Sequence, residues 1–195
     1  TAINNAINNL TYTPAQDFNG NTTFAITSDD QGNTGTPGAL SSTLANSTIT
    51  IILAARNDAP VNSVPGAQTV IESTNLVFNA ANLNPITVAD VDALGGTFDG
   101  GRLRVTVESS LGRTITANTS GTAIITAFGT GGVQIRGSVA EVNLALSGLT
   151  YAAGPFLGGS SDTITVTTND QGNSGISTLQ GNDGTAPDPL VDIDT

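Results

Sequence analysis

The sequence predicts an all-β chain: a β-sandwich in tandem repeats, with one short helix in each repeat. Three observations lead there. Short runs rich in Thr, Val and Ile recur at turn-limited spacing. In Arg102–Glu108, Leu103, Val105 and Val107 alternate with polar residues, the period-2 pattern of a half-buried strand. The pairs Asn19-Gly20, Gly95-Gly96, Gly100-Gly101, Gly131-Gly132 and Gly158-Gly159 punctuate these runs as turns.

Taken in order, strands are expected at Thr22–Ser28, Thr48–Leu53, Gln68–Glu72, Leu76–Asn79, Ile86–Ala89, Arg102–Glu108, Arg113–Ala117, Thr122–Ala127, Val133–Arg136 and Thr163–Thr167. One helix interrupts them. Ser138-Val139-Ala140-Glu141 has the form of a capping box, and Val142 and Leu146 then fall on one helical face. Leu149 and Tyr151 resume a strand, with Tyr12 and Tyr151 expected as half-buried anchors of the turn that follows. The acidic, Gly- and Pro-containing stretch with Asp183, Asp188, Asp192 and Asp194 reads as a solvated loop.

The helix-strand phrase occurs twice. Ile3, Ile7, Leu10 and Tyr12 match Val142, Leu146, Leu149 and Tyr151 at a constant offset of 139. Phe24/Ile164, Ile26/Val166 and Asp30/Asp170 continue the match at an offset of 140. Residues 1–56 therefore read as the C-terminal part of one repeat and residues 57–195 as a nearly complete second repeat. Aligning Ser47-Thr48 with Asp194-Thr195 makes the second repeat stop before its last strand. A partial sandwich cannot bury its own apolar face, so the missing pieces are expected from a longer polypeptide or from a neighbouring chain.

Composition restricts the chemistry. Sixteen acids against five basic residues, all of them Arg, give a net charge of −11, which excludes a basic nucleic-acid or anionic-membrane surface. The chain has no Cys, His or Lys. It therefore has no disulfide, thiol nucleophile, imidazole base or Schiff-base lysine. Binding is left to oxygen donors, which suit a hard cation such as calcium. The absence of any targeting segment is expected of a piece of something longer, and the composition suggests a bacterial extracellular protein.

The oxygen donors are grouped. Asn57 and Asp58 lie in Arg56-Asn57-Asp58-Ala59-Pro60-Val61, Asp90 and Asp92 in Asp-Val-Asp, and Asp170 in Asn-Asp-Gln-Gly-Asn, which repeats Asp-Asp-Gln-Gly-Asn at Asp30. Asp at i and i+2 of an extended segment points both side chains to one side, where they can share an ion. Gathered carboxylates repel by roughly 1 kcal/mol per pair at about 4 Å even in water, and a calcium ion removes that repulsion. The blander reading stays open: Asp, Asn and Gly in these phrases also make ordinary turns.

The phrases NDAPV, NLTY/GLTY and DDQGN/NDQGN, in this order and at this period, resemble the cadherin-like tandem repeats of bacterial extracellular (RTX-type or biofilm) adhesins. The resemblance covers most of the chain. It implies a Greek-key, cadherin- or Ig-like sandwich with calcium at the junctions between repeats. On that resemblance Asn57, Asp58, Asp90, Asp92 and Asp170 surround one Ca2+ site, Glu72 serves the next junction downstream and Asp30 the junction upstream.

The expected function is a calcium-stiffened structural and adhesive module of a secreted or cell-surface protein, its partners being neighbouring repeats. Two alternatives stand beside it. One is a filament subunit in which a strand of one chain completes another's sandwich. The other is a carbohydrate-binding module for surface or matrix polysaccharide, which the low aromatic content (4%) and the lack of Trp disfavour. Catalysis is not expected: Asp90 and Asp92, on one short segment, suit a shared ion better than two carboxylates flanking a glycosidic bond.

Overall fold

The computed structural model describes residues 2–29, 41–42, 47–93, 101–155, 159, 161–172 and 189–195. The chain divides into two compact units, Thr1–Ala55 and Arg56–Thr195. It is mostly β-strand in several antiparallel sheets, with few helices.

The first unit holds helix α1 (Ala2–Ile7) and strands β1 (Gly20–Ala25), β2 (Ser28–Asp29), β3 (Ser41–Ser42) and β4 (Thr48–Leu53). β4 is β-branched almost throughout and pairs along its whole length with β1, from Gly20↔Leu53 to Ala25↔Thr48. Among residues 2–28 and 47–55 none is buried. Ile3, Ile7, Leu10, Tyr12, Phe18, Ile49 and Ile52 are all exposed.

The second unit contains β5 (Val61–Ser63), β6 (Asn75–Phe78), β7 (Thr87–Ala89), β8 (Leu103–Ser109), β9 (Ile115–Thr116), β10 (Ile124–Phe128) and β11 (Gly132–Gly137). Helix α2 (Val139–Leu146), β12 (Leu149–Ala152), β13 (Ile164–Asn169) and β14 (Val191–Asp194) follow. One sheet runs β10-β11-β8-β13-β14, a second β6-β12-β9, and β5 pairs with β7. The hydrophobic core draws on both larger sheets, on β7 and on the helix. Leu103, Val105 and Val107 have no exposed surface, while Arg102, Arg104 and Glu108 are exposed, as the alternation requires.

Helix α2 starts at a complete capping box. Ser138 Oγ accepts from the Glu141 N–H, and the Glu141 carboxylate accepts from the Ser138 N–H (2.8 Å). Val142, Ala145 and Leu146 form its buried face. Asn143 ties it to β7 by donating to the Val88 carbonyl (2.9 Å) and accepting from the Val88 N–H (2.8 Å). Beyond the helix, Tyr151 is buried and its hydroxyl donates to Asp162 (2.8 Å). Burial and the Asp162 carboxylate push the phenol up to about 12. Burial works against the charge of Asp162, but hydrogen bonds from Ser109, Ser110, Tyr151 and Leu111 hold its carboxyl below the usual value.

Four sequence expectations need correction. Gln68–Glu72 is not a strand; its residues lie outside every sheet. Val61–Ser63, where no strand is expected, is a strand whose Asn62 is buried. Tyr12, the repeat equivalent of Tyr151, is exposed rather than half-buried, and Leu10–Tyr12 forms no strand. β12 exists because β6 and β9 flank it, and the described residues of the first unit contain no counterpart of either. Finally, Val191–Asp194 is a strand rather than a solvated loop; Asp183 and Asp188 lie outside the described residues. Val191 and Ile193 face outward, while Asp192 is half-buried because its Oδ2 accepts from the Asn62 N–H (2.6 Å).

The helix seat predicts a graded response to mutation. Leu146→Ala is expected to reduce the unfolding free energy by about 2–5 kcal/mol. Ser138→Ala should cost about 1 kcal/mol. Urea denaturation measures both, and a Leu146→Ala loss below that of Ser138→Ala would contradict the buried position of the helix face.

Candidate metal centre

Asp170 follows the last residue of β13 and has no exposed surface. The alternation of β13 sends Val166, Thr168 and Asp170 inward, all three buried. The chain then turns sharply, with Gln171 and Gly172 at φ of 61° and 71°. Glycine supplies the second of these at no steric cost. Asn169 accepts from the Gln171 N–H (2.8 Å) and Asp170 Oδ1 from the Gly172 N–H (2.9 Å), so the turn chemistry expected of Asn-Asp-Gln-Gly is present.

The Asp170 carboxylate also reaches across the fold. Oδ1 accepts from the Leu190 N–H (2.7 Å), just before β14. Oδ2 accepts from Asn57 Nδ2 (2.6 Å), 113 residues away in sequence, and Asn57 is itself buried. These are the bonds a buried carboxylate needs.

Asp90 and Asp92 stand at the end of β7. Asp92 Oδ2 accepts from the Asp58 N–H (2.7 Å), so Asp58 joins the group through its backbone. Asp90 is 9% exposed, and its Oδ1 accepts from the N–H groups of Asp92 and Ala93 (both 3.0 Å). This corrects the extended-segment argument: Asp90 folds back into a turn over Asp92. Asp90 Oδ2 is buried and has no hydrogen-bond partner. Burial, with the nearby charges of Asp92 and Asp170 adding to it against two backbone hydrogen bonds, pushes the Asp90 carboxyl up to about 6.

Five of the seven expected ligands therefore gather in the second unit. Asn57 contacts Asp170, Asp58 contacts Asp92, and Asp90 feels the charges of Asp92 and Asp170. Glu72 is apart from them: it is exposed and lines a cavity with Ile164, at the other end of β13 from Asp170. Asp30 lies outside the described residues. Among the described residues, no three acidic side chains already stand close enough together to hold a metal ion. Sequence reasoning missed Asn62 and Asp192, which clamp β5 to β13 and β14. Asn62 Nδ2 donates to the Asp192 carbonyl (3.1 Å), and Asn62 Oδ1 accepts from the hydroxyl of buried Thr168. The period-2 pattern Val-Asp-Ile-Asp marks β14 as a strand, but with its acids turned inward it offers no ordinary burial signal.

No helix among the described residues is long and apolar enough to cross a membrane. Compared with protein-family models, curated proteins and solved structures, the chain matches none.

The raised Asp90 value sets a pH dependence. Its folded value lies above the ordinary one, so its contribution to stability is full below about pH 4 and is lost as pH rises through about 6. In chelator, the wild-type melting temperature should fall across that window relative to Asp90→Asn. Parallel melting-temperature profiles of the two proteins between pH 4 and 7 would show that the carboxyl titrates normally.

Proposed function

We propose that the chain is a structural repeat module of a secreted or cell-surface adhesin, a Greek-key cadherin-like sandwich whose entry segment is stiffened by calcium. The observation that carries this reading is the partnerless, buried Asp90 Oδ2 beside Asp92 and Asp170. A charged oxygen in that position is costly unless a cation accompanies it. The donor set supports a hard cation, since every candidate ligand is an oxygen of Asp or Asn. Asn57, Asp58, Asp90, Asp92 and Asp170 would hold the ion, with the Asn57 amide turned so that its oxygen replaces the nitrogen now donating to Asp170. The ion would supply electrostatic neutralisation and cross-linking, not catalysis. Asn57 and Asp58 directly follow the residues that join the two units in sequence, so an ion there would stiffen the chain where it enters the second repeat.

A second reading is an ion-free polar clamp. The saturation of Asp170 by three N–H donors favours it. The two readings differ in their response to calcium.

Extracellular calcium modules bind at about 10⁻⁴–10⁻³ M. An ion at a hundred times its dissociation constant stabilises by about 2.7 kcal/mol. Calorimetry of the chain in chelator and in excess calcium should show a rise in melting temperature. Asp90→Asn and Asp170→Asn should reduce that rise, while Asp17→Asn, in an exposed turn, should leave it intact. Identical melting curves with calcium and with chelator would favour the ion-free clamp.

A further inference from the structure

Three of the chain's five arginines, Arg102, Arg104 and Arg136, fall on one face of the five-stranded sheet. Leu103, Val105 and Val107 of β8 and Val133 and Ile135 of β11 are buried against the core. The alternation therefore turns Arg104 and Thr106 of β8, and Gln134 and Arg136 of β11, to the outer side. The register lines up Val191, Asn169, Arg104, Arg136 and Ile124 straight across β14, β13, β8, β11 and β10. The row beside it runs Ile193, Thr167, Thr106, Gln134 and Thr126, with Gln134 Nε2 donating to Thr126 Oγ1 (3.4 Å). Glu108 is the only acid in β8, β11 and β13. It lies four residues beyond Arg104, about 13 Å along the strand.

Arg104 and Arg136 are directly opposite each other, and like charges so placed repel. Acids outnumber arginines in the chain, yet the other neighbours of this pair in the row are Asn169 and Ile124. Opposite Cβ atoms in such a ladder stand about 4.5–5.5 Å apart. Two guanidinium forks can then close on one carboxylate, and an anion between them turns the repulsion into attraction. A guanidinium has five donors, so one that serves a protein acceptor keeps others for a ligand.

The charge pattern also selects the partner. Three arginines are too few for the dense phosphates of a nucleic acid. A second copy of the chain would bring a charge of −11 with it. A linear acidic polysaccharide presents its carboxylates singly on a thin chain, and charges beyond about 8 Å are screened at physiological salt. Thr106, Thr167 and Gln134, all half-buried on this face, offer donors and acceptors to sugar hydroxyls. The shortage of aromatics weighs against stacking neutral sugars, but ion pairs read acidic ones without it.

We propose that the outer face of the five-stranded sheet binds an acidic polysaccharide, Arg104 and Arg136 holding a uronate carboxylate and Thr106, Thr167 and Gln134 meeting its hydroxyls. Arg102, just before β8 and within electrostatic reach of Glu141, borders the site. The inference rests on strand register and charge, and it does not depend on calcium.

Titration calorimetry of the full chain with galacturonate oligomers tests it, in chelator so that calcium cannot bridge the sugar to the protein. Binding is expected, weakening as salt rises. Arg104→Gln and Arg136→Gln should each weaken it roughly tenfold. The melting temperature should hold or rise in both, because a like-charge pair has gone. Arg104→Lys keeps the charge without the fork and should fall between wild type and Arg104→Gln. Undiminished binding by a variant carrying both glutamines would overturn the site. Equal binding of methyl-esterified oligomers would overturn recognition of the carboxylate. No binding of the acidic oligomers would overturn the polysaccharide as partner, and sedimentation showing Arg104-dependent self-association in its place would make a second copy the occupant.

Discussion

A carboxylate with no exposed surface must be satisfied from within the fold, and at Asp170 three separate stretches of chain do this. Asn57 comes from the entry segment, Leu190 from the approach to β14, and Gly172 from the turn that follows β13. None of these bonds is worth much in net terms, but losing one would leave a charged group buried and underbonded. The start of the second unit, the end of β13 and the approach to β14 are therefore held in one place by a single side chain.

β13 has two unlike ends because of this constraint. At the Asp170 end, polar groups close the structure: Asp90, Asp92 and Asn57 gather there, and the Asn62–Thr168–Asp192 group ties β5 to the same strand. At the Ile164 end, the inward side chains are apolar and line a cavity with Val64, Val70, Leu76 and Phe78.

The two copies of the helix-strand phrase show how far local sequence reaches. Ile3 and Ile7 form one turn face of α1 as Val142 and Leu146 do in α2, yet the first pair is exposed and the second fully buried. Leu10 and Tyr12 stay outside any sheet, while Leu149 and Tyr151 sit in the middle of one. Helix formation needs only neighbours along the chain, plus a cap such as Ser138. Strand formation at Leu149–Ala152 needs β6 and β9, which are contributed from elsewhere in the sequence.

The sequence by itself determined most of the strands and the capped helix, because each is written in local periodicity or in turn chemistry, whereas the grouping of Asn57, Asp58, Asp90, Asp92 and Asp170 was expected only from the resemblance. β8 and β4 are legible from alternation and β-branching alone. Only the tertiary structure decided that Asp90 turns back on Asp92 with one oxygen unpartnered and that Asp192 faces inward to meet Asn62. Asp90 is turned by N–H groups two and three residues on, but its other oxygen is left partnerless by burial in the core. Asp192 is turned by a donor that lies far away in sequence, and such residues become neighbours only once the core has formed.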